Sequence, residues 1–192
     1  MRRLLRDEAA ARDRFDHVYR TTRAALLAYL VRRTETPEDA ADLLGEVYLV
    51  AWRRIADVPA GEQARLWLFG VARRVLANHR RRVRTQTELA AALERTLQTH
   101  DAEQPRLAAD DSAAVGEVLA SLSAADRELL MLRHWEELKP AEIAVVLGRP
   151  AAVIRVRLHR ARRRAEAKFL EATHEAPLLD RRGRLIEPAA AE

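Results

Sequence analysis

The chain is 192 residues long, carries 34 Lys and Arg against 29 Asp and Glu, and has no cysteine, which excludes disulfide frameworks, thiolate zinc sites and thiol nucleophiles. It is 48% hydrophobic but only 5% aromatic, with Ala supplying much of the apolar content, so a helical protein with small core side chains is expected. The longest apolar stretch, Ala24 to Val31, falls far short of the roughly 18 residues of a membrane span, and MRRLLRDEAAARDRF lacks a signal peptide's apolar core, so a cytoplasmic location without membrane insertion is expected.

Phe15, Val18, Tyr19, Thr22, Leu26 and Tyr29 recur at three- and four-residue spacings and predict an amphipathic helix over about Phe15 to Arg33. A second helix opens with Thr36 as N-cap, Pro37 at the first helical position and Asp39 three residues after the cap. It turns Ala40, Leu43, Leu44, Val47, Ala51 and Ile55 inward until Val58-Pro59-Ala60-Gly61 breaks it. A third, over about Glu62 to Arg82, aligns Leu68, Val71, Ala72, Val75 and His79 and closes in a run of arginines. Three such helices suffice for a small domain over 10–84.

From Thr85 the periodicity weakens. Leu89, Leu93 and Leu97 suit a short helix, whereas His100 to Asp111 is polar with a central Pro105, so 85–111 reads as a linker that a partner orders. A second domain is expected over 112–170. Ser123 with Asp126 is a capping signature before RELLMLRHW, and two Pro-initiated helices follow from Pro140 and Pro150, separated by Gly148. The fold class is therefore all-α: two small helical domains joined by a flexible acidic linker. Residues 171–192 form a tail with little periodicity, expected to be disordered; the alternative is docking on a domain through Leu178, Leu179, Leu185 and Ile186.

Charge alternates along this plan. Val71 to Arg84 holds six arginines and no acid, Thr85 to Glu117 seven acids against two arginines, and Arg149 to Lys168 eight basic residues against Glu166. Two basic surfaces joined by an acidic connector point to a bipartite contact with a polyanion, because arginines neutralise phosphates and release their counterions.

Pro140 to His159 has the plan of a helix-turn-helix. Ala144 is small where the helices cross, Gly148 supplies a left-handed turn, and Ile143, Leu147, Ile154 and Leu158 face inward. On the second helix the expected buried face is Ile154, Leu158, Ala161 and Ala165. Opposite lie Ala152, Val156, His159 and Arg163, flanked by Arg155 and Arg162 on one side and Arg160 and Arg164 on the other. In a major groove Ala152 and Val156 would meet thymine methyls, Arg155 a guanine edge or a phosphate, and the other arginines the backbone.

These residues resemble the extracytoplasmic-function (group 4) sigma factors of bacterial RNA polymerase, over about Phe15 to Phe169. DAADLLGEVYLVAWRRI (Asp39 to Ile55) is similar to the family's region 2 helix, with Asp39, Asp42, Glu46, Tyr48 and Trp52 at its acidic and aromatic positions. ARLWLFGVARRVLANHRRR (Ala64 to Arg82) resembles the segment that melts and reads the −10 element. Leu122 to Arg162 resembles region 4, down to its Arg157-Leu158-x-Arg160-Ala161-Arg162 ending.

The resemblance implies a non-catalytic specificity subunit that needs no cofactor and no metal. Its partners would be core RNA polymerase, through the β′ clamp and β flap, and promoter DNA, both duplex and melted single strand; an anti-sigma factor is admitted as inhibitor. It assigns Asp39, Asp42, Glu46, Tyr48 and Trp52 to the core polymerase, and Trp67, Arg73, Arg74, Asn78, Arg80, Arg81 and Arg82 to the −10 element. The −35 element falls to Arg149, Ala152, Arg155, Val156, His159, Arg160 and Arg163. The acidic linker would partly imitate RNA by charge.

The chain departs from the family pattern at Gly45, Arg74, Asn78, Val153 and Val156, which bear on core affinity and promoter sequence. No enzyme constellation is present: the six histidines are scattered, and there is no HExxH and no Gly-rich phosphate loop. The competing class is a self-sufficient dimeric helix-turn-helix regulator. It would need a dimerisation or receiver domain, which 10–84 does not resemble.

Overall fold

A computed structural model describes residues 2–97 and 113–173, all helix and short turns, with no strand among them. The chain divides into two compact units, the first of Met1–Leu107 with Val145–Gly148 and the second of Ala108–Ala144 with Arg149–Glu192.

The first unit packs α1 (Arg2–Val31), α2 (Pro37–Arg53) and α3 (Glu62–Leu97) against one another. Thr36 caps α2 as its sequence predicts: the Asp39 N–H donates to Thr36 Oγ1 at 3.1 Å, and the Thr36 hydroxyl donates back to the Asp39 carboxylate at 2.7 Å. Leu26, Tyr29, Leu30, Leu43, Val47, Leu68, Phe69 and Ala72 are buried at the junction, with the Tyr29 and Phe69 rings 5.3 Å apart. Tyr48 closes the α1–α2 seam. Its hydroxyl lies 2.8 Å from Thr22 Oγ1, which itself donates to the Val18 carbonyl, so the phenol is the donor of the pair.

The second unit packs α4 (Ala113–Ser121) and α5 (Ala124–His134) on α7 (Ala151–Thr173), with α6 (Pro140–Leu147) leading into α7. Ser123 caps α5 by accepting the Asp126 N–H at 3.1 Å. Leu129, Leu132, Leu138, Ile143, Ile154, Leu158 and Ala161 are buried.

Three boundaries differ from the sequence expectation. Helix α1 begins at Arg2 rather than near Phe15, and α2 stops at Arg53, leaving Ile55 half-buried in the following turns. Helix α3 runs on to Leu97, so 85–97, read as the start of a linker, continues the helix. No Pro or Gly occurs between Val71 and Gln104, and a helix of good formers persists without a strong apolar stripe until something breaks it. The remainder of the expected linker and nearly all of the expected tail lie outside the described residues.

Candidate nucleic-acid interface

Helix α7 is aimed by the turn before it. The Glu142 carboxylate accepts the Lys139 N–H at 2.6 Å and fixes the start of α6. At its end Gly148 adopts φ +60°, the Arg149 N–H reaches the Ala144 carbonyl at 3.0 Å and the Gly148 N–H reaches that of Val145 at 3.3 Å. This paired closure requires a left-handed residue, the reason a glycine stands there.

On α7 the buried and exposed faces fall where the periodicity puts them. Ile154, Leu158 and Ala161 are buried, Ala165 is half-buried, and Ala152, Arg155, Val156, His159, Arg160 and Arg163 are exposed, as is Arg149 in the turn. Val156 is an apolar side chain 51% exposed on this outward row. One arginine is taken out of this surface. Arg164, expected to hold a phosphate, instead donates from Nε and from a terminal nitrogen to the two oxygens of Asp126 on α5, each at 2.8 Å. Those bonds outweigh desolvation and hold the Asp126 carboxyl below its ordinary pKa.

The basic stretch of α3 is likewise divided. Trp67, Arg74, Asn78 and Arg81 recur at three-, four- and seven-residue spacings and share one face. Trp67 is half-buried with the Arg54 guanidinium 5.8 Å from its ring centre; Arg73, Arg74, Arg81 and Arg82 are exposed. Arg81 donates to the Asn78 side-chain oxygen, and Arg80, on the other side of α3, donates to the Arg33 carbonyl at 3.0 Å. Arg82 pairs with Glu46 of α2 at 3.6 Å, and His79 Nε2 lies 3.8 Å from Asp39.

Of the residues assigned to core polymerase, Asp42 and Trp52 are exposed and Asp39 and Glu46 half-exposed, whereas Tyr48 is only 6% exposed. Tyr48 therefore belongs to the core: it follows Val47 and stands four residues after Leu44, at the edge of the buried stripe. Burial raises its phenol pKa, so the hydroxyl stays protonated near neutral pH. Trp52 presents its indole beside Phe15, ring centres 5.3 Å apart and nearly perpendicular.

A cavity of about 340 Å³ between α1 and the α2–α3 turn escaped the sequence reading. Arg14, His17 and Thr21 of α1 line one side, Pro59 to Gly61 and Arg65 the other. Arg14 reaches across to the Val58 carbonyl, while Arg65 Nε is buried without a hydrogen-bond partner. Its only foreshadowing was the Pro59-Ala60-Gly61 break; nothing in sequence spacing joins His17 to Arg65. Among the described residues no group of three or more His, Asp or Glu could hold a metal ion, and no helix is long and apolar enough to cross a membrane.

Residues 18–86 match the family model for sigma-70 region 2, and residues 112–164 that for sigma-70 region 4. The chain is 32% identical over 154 residues to the RNA polymerase sigma factor YlaC of Bacillus subtilis, covering 79% of this chain and 89% of that protein. It is 30% identical over 139 residues to the ECF RNA polymerase sigma factor SigL of Mycobacterium tuberculosis, covering 71% and 77%. In fold it is similar to the sigma factor RpoE of Bartonella quintana, solved with the anti-sigma factor NepR, at a TM-score of 0.61 and 20% identity over 80% of this chain and 95% of that one. The chain belongs to the extracytoplasmic-function sigma factors of the sigma-70 family, which bind core RNA polymerase and promoter DNA and direct promoter recognition and transcription initiation.

Proposed function

We propose that the two units divide promoter recognition between them, acting in the cytoplasm as a non-catalytic subunit. The second unit reads the −35 element with α7, and the observation that carries this is the separation of its faces: Ile154, Leu158 and Ala161 inward, Ala152, Arg155, Val156, His159, Arg160 and Arg163 outward. A helix so divided lays the outward row along a major groove, with Arg149 and the outer arginines on phosphates and Ala152 and Val156 against base methyls.

The first unit captures melted −10 strand. Arg73, Arg74, Arg81 and Arg82 follow the phosphates, Trp67 offers a stacking edge, and the cavity by His17 and Arg65 receives one unstacked base, toward which Arg65 Nε, 3.9 Å from the Glu62 carboxylate and without a hydrogen bond, is a donor. Asn78 orients Arg81. Arg80 contributes charge while tied to the end of α1. The outer face of α2, with Asp39, Asp42, Glu46 and Trp52, contacts the β′ clamp, and the second unit contacts the β flap. An anti-sigma factor is a further partner, by likeness to RpoE, which was solved with one.

The test is a pull-down of core RNA polymerase with the purified chain, followed by promoter-dependent transcription from the bound complex. Stoichiometric capture with new initiation is expected. Binding to duplex DNA as a dimer without core association would overturn the reading in favour of a free-standing regulator.

A further inference from the structure

Helix α7 carries exposed apolar side chains within its first two turns. Val153 and Val156 are 43% and 51% exposed, beside the exposed Ala152. Val153 stands three residues before Val156 and Arg160 four after it, so the three form one edge of the outward face. Ile154, Leu158 and Ala161 are the side chains of this stretch that enter the core, and neither valine is among them. A β-branched residue at such a position restricts its own rotamers and offers water no hydrogen bond.

We propose that Val153 and Val156 recognise the 5-methyl groups of pyrimidines on two neighbouring base pairs, so that 5-methylcytosine is read there as thymine is. The inference rests on the reading of α7 as the −35 helix. Every base edge in the major groove offers hydrogen-bonding groups, and the apolar group it offers is the pyrimidine 5-methyl. A valine neither donates nor accepts, so it does not tell the O4 of thymine from the N4 of cytosine. The methyl alone decides.

The spacing agrees with two neighbouring pairs. At the helical rise per residue the valines lie about 4.5 Å apart along α7, and successive base pairs lie about 3.4 Å apart along a duplex. A helix that follows the groove is oblique to the duplex axis, which shortens the first distance toward the second. The exposed Arg155 and Arg160 on either side supply the charge that holds the backbone, leaving the valines to the bases.

To test this, holoenzyme containing the full chain first selects binders from upstream duplex randomised across the −35 positions. In the selected duplex each thymine is then replaced singly by deoxyuridine, which removes the methyl and keeps every hydrogen-bonding group. Thymines on two adjacent base pairs are each expected to lose about fourfold in affinity, the worth of one methyl taken out of water. Val153→Ser should abolish the loss at one of them and Val156→Ser at the other; both side chains are exposed, so the fold is kept. Cytosine at either position should weaken binding, and 5-methylcytosine there should recover about fourfold, except in the serine variant of the valine that reads it. Equal affinity for thymine and uracil at every position overturns the proposal and leaves the −35 reading standing. A methyl effect that survives in both serine variants overturns the part given to the valines. No enrichment across the −35 positions overturns the reading of α7, and the proposal with it.

Discussion

Arg164 and Asp126, 38 residues apart in sequence, meet in a two-point contact at 2.8 Å that ties α7 to the first turn of α5. Asp126 is nearly buried while Arg164 keeps half its side chain in water, so the carboxylate depends on the arginine more than the reverse. A carboxyl whose folded pKa lies below its unfolded value stabilises the fold above about pH 4, near the ordinary carboxylate value, and that contribution is lost as pH falls through the lower folded value. Asp126→Asn is therefore expected to lower the thermal midpoint of the second unit at pH 7 and to flatten its acid dependence below pH 4. Calorimetry across that range checks both.

The same pair sorts the arginines of α7 by their use. If Arg155, Arg160 and Arg163 each hold a phosphate, neutralising any one to Gln reduces the slope of log K against log salt by about 0.9. Arg164→Gln is expected to leave that slope unchanged. Holoenzyme titrations on upstream promoter duplex at several salt concentrations distinguish the two.

Two aromatics four residues apart on α2 are expected to behave oppositely. Tyr48→Phe removes one buried hydrogen bond to Thr22 and should cost about 1 kcal/mol of stability while leaving core association unchanged. Trp52→Ala keeps the fold and should weaken core association about tenfold or more, as loss of an exposed aromatic anchor does. Denaturant melts and competition for core polymerase measure the two effects.

Capture of melted strand predicts that Trp67→Ala reduces open-complex formation roughly tenfold through lost stacking. Arg65→Gln, at the cavity, should lower it without changing closed-complex affinity. Fluorescence of 2-aminopurine placed in the −10 strand reports both, and equal kinetics in both variants would sink the melting assignment.

The glycines of α2 and of the α6–α7 turn separate two roles of one residue type. Gly45 is exposed mid-helix and an added Cβ meets nothing within 4 Å, so Gly45→Ala should stabilise the first unit by about 1 kcal/mol. Gly148 also has room for a Cβ, yet its φ of +60° makes Gly148→Ala cost about 1 kcal/mol through backbone strain alone. Thermal melts of the two variants should move in opposite directions.

What the sequence made legible was local. The caps at Thr36 and Ser123, the turn at Gly148 and the inward row Ile154, Leu158 and Ala161 each follow from residues within a few positions of one another. What it hid was long-range or negative. The Arg164–Asp126 contact joins two helices, and the cavity joins His17 to Arg65 from different elements. The extension of α3 to Leu97 rests on the absence of a breaker, which a search for apolar stripes does not register. Tyr48 stands at an aromatic position of the family motif, yet its spacing from Leu44 puts it beside the buried row.

The left-handed Gly148 has a consequence for the history of a promoter reader. Every single-base change in a glycine codon that is not silent yields a stop or a residue that bears a Cβ, and of these Asp is the one that tolerates this backbone region best. The outward residues of α7 are free of such a constraint, so DNA preference can drift one substitution at a time while the angle at which the helix is offered stays fixed. Inheritance of this turn thus separates what is read from how it is presented.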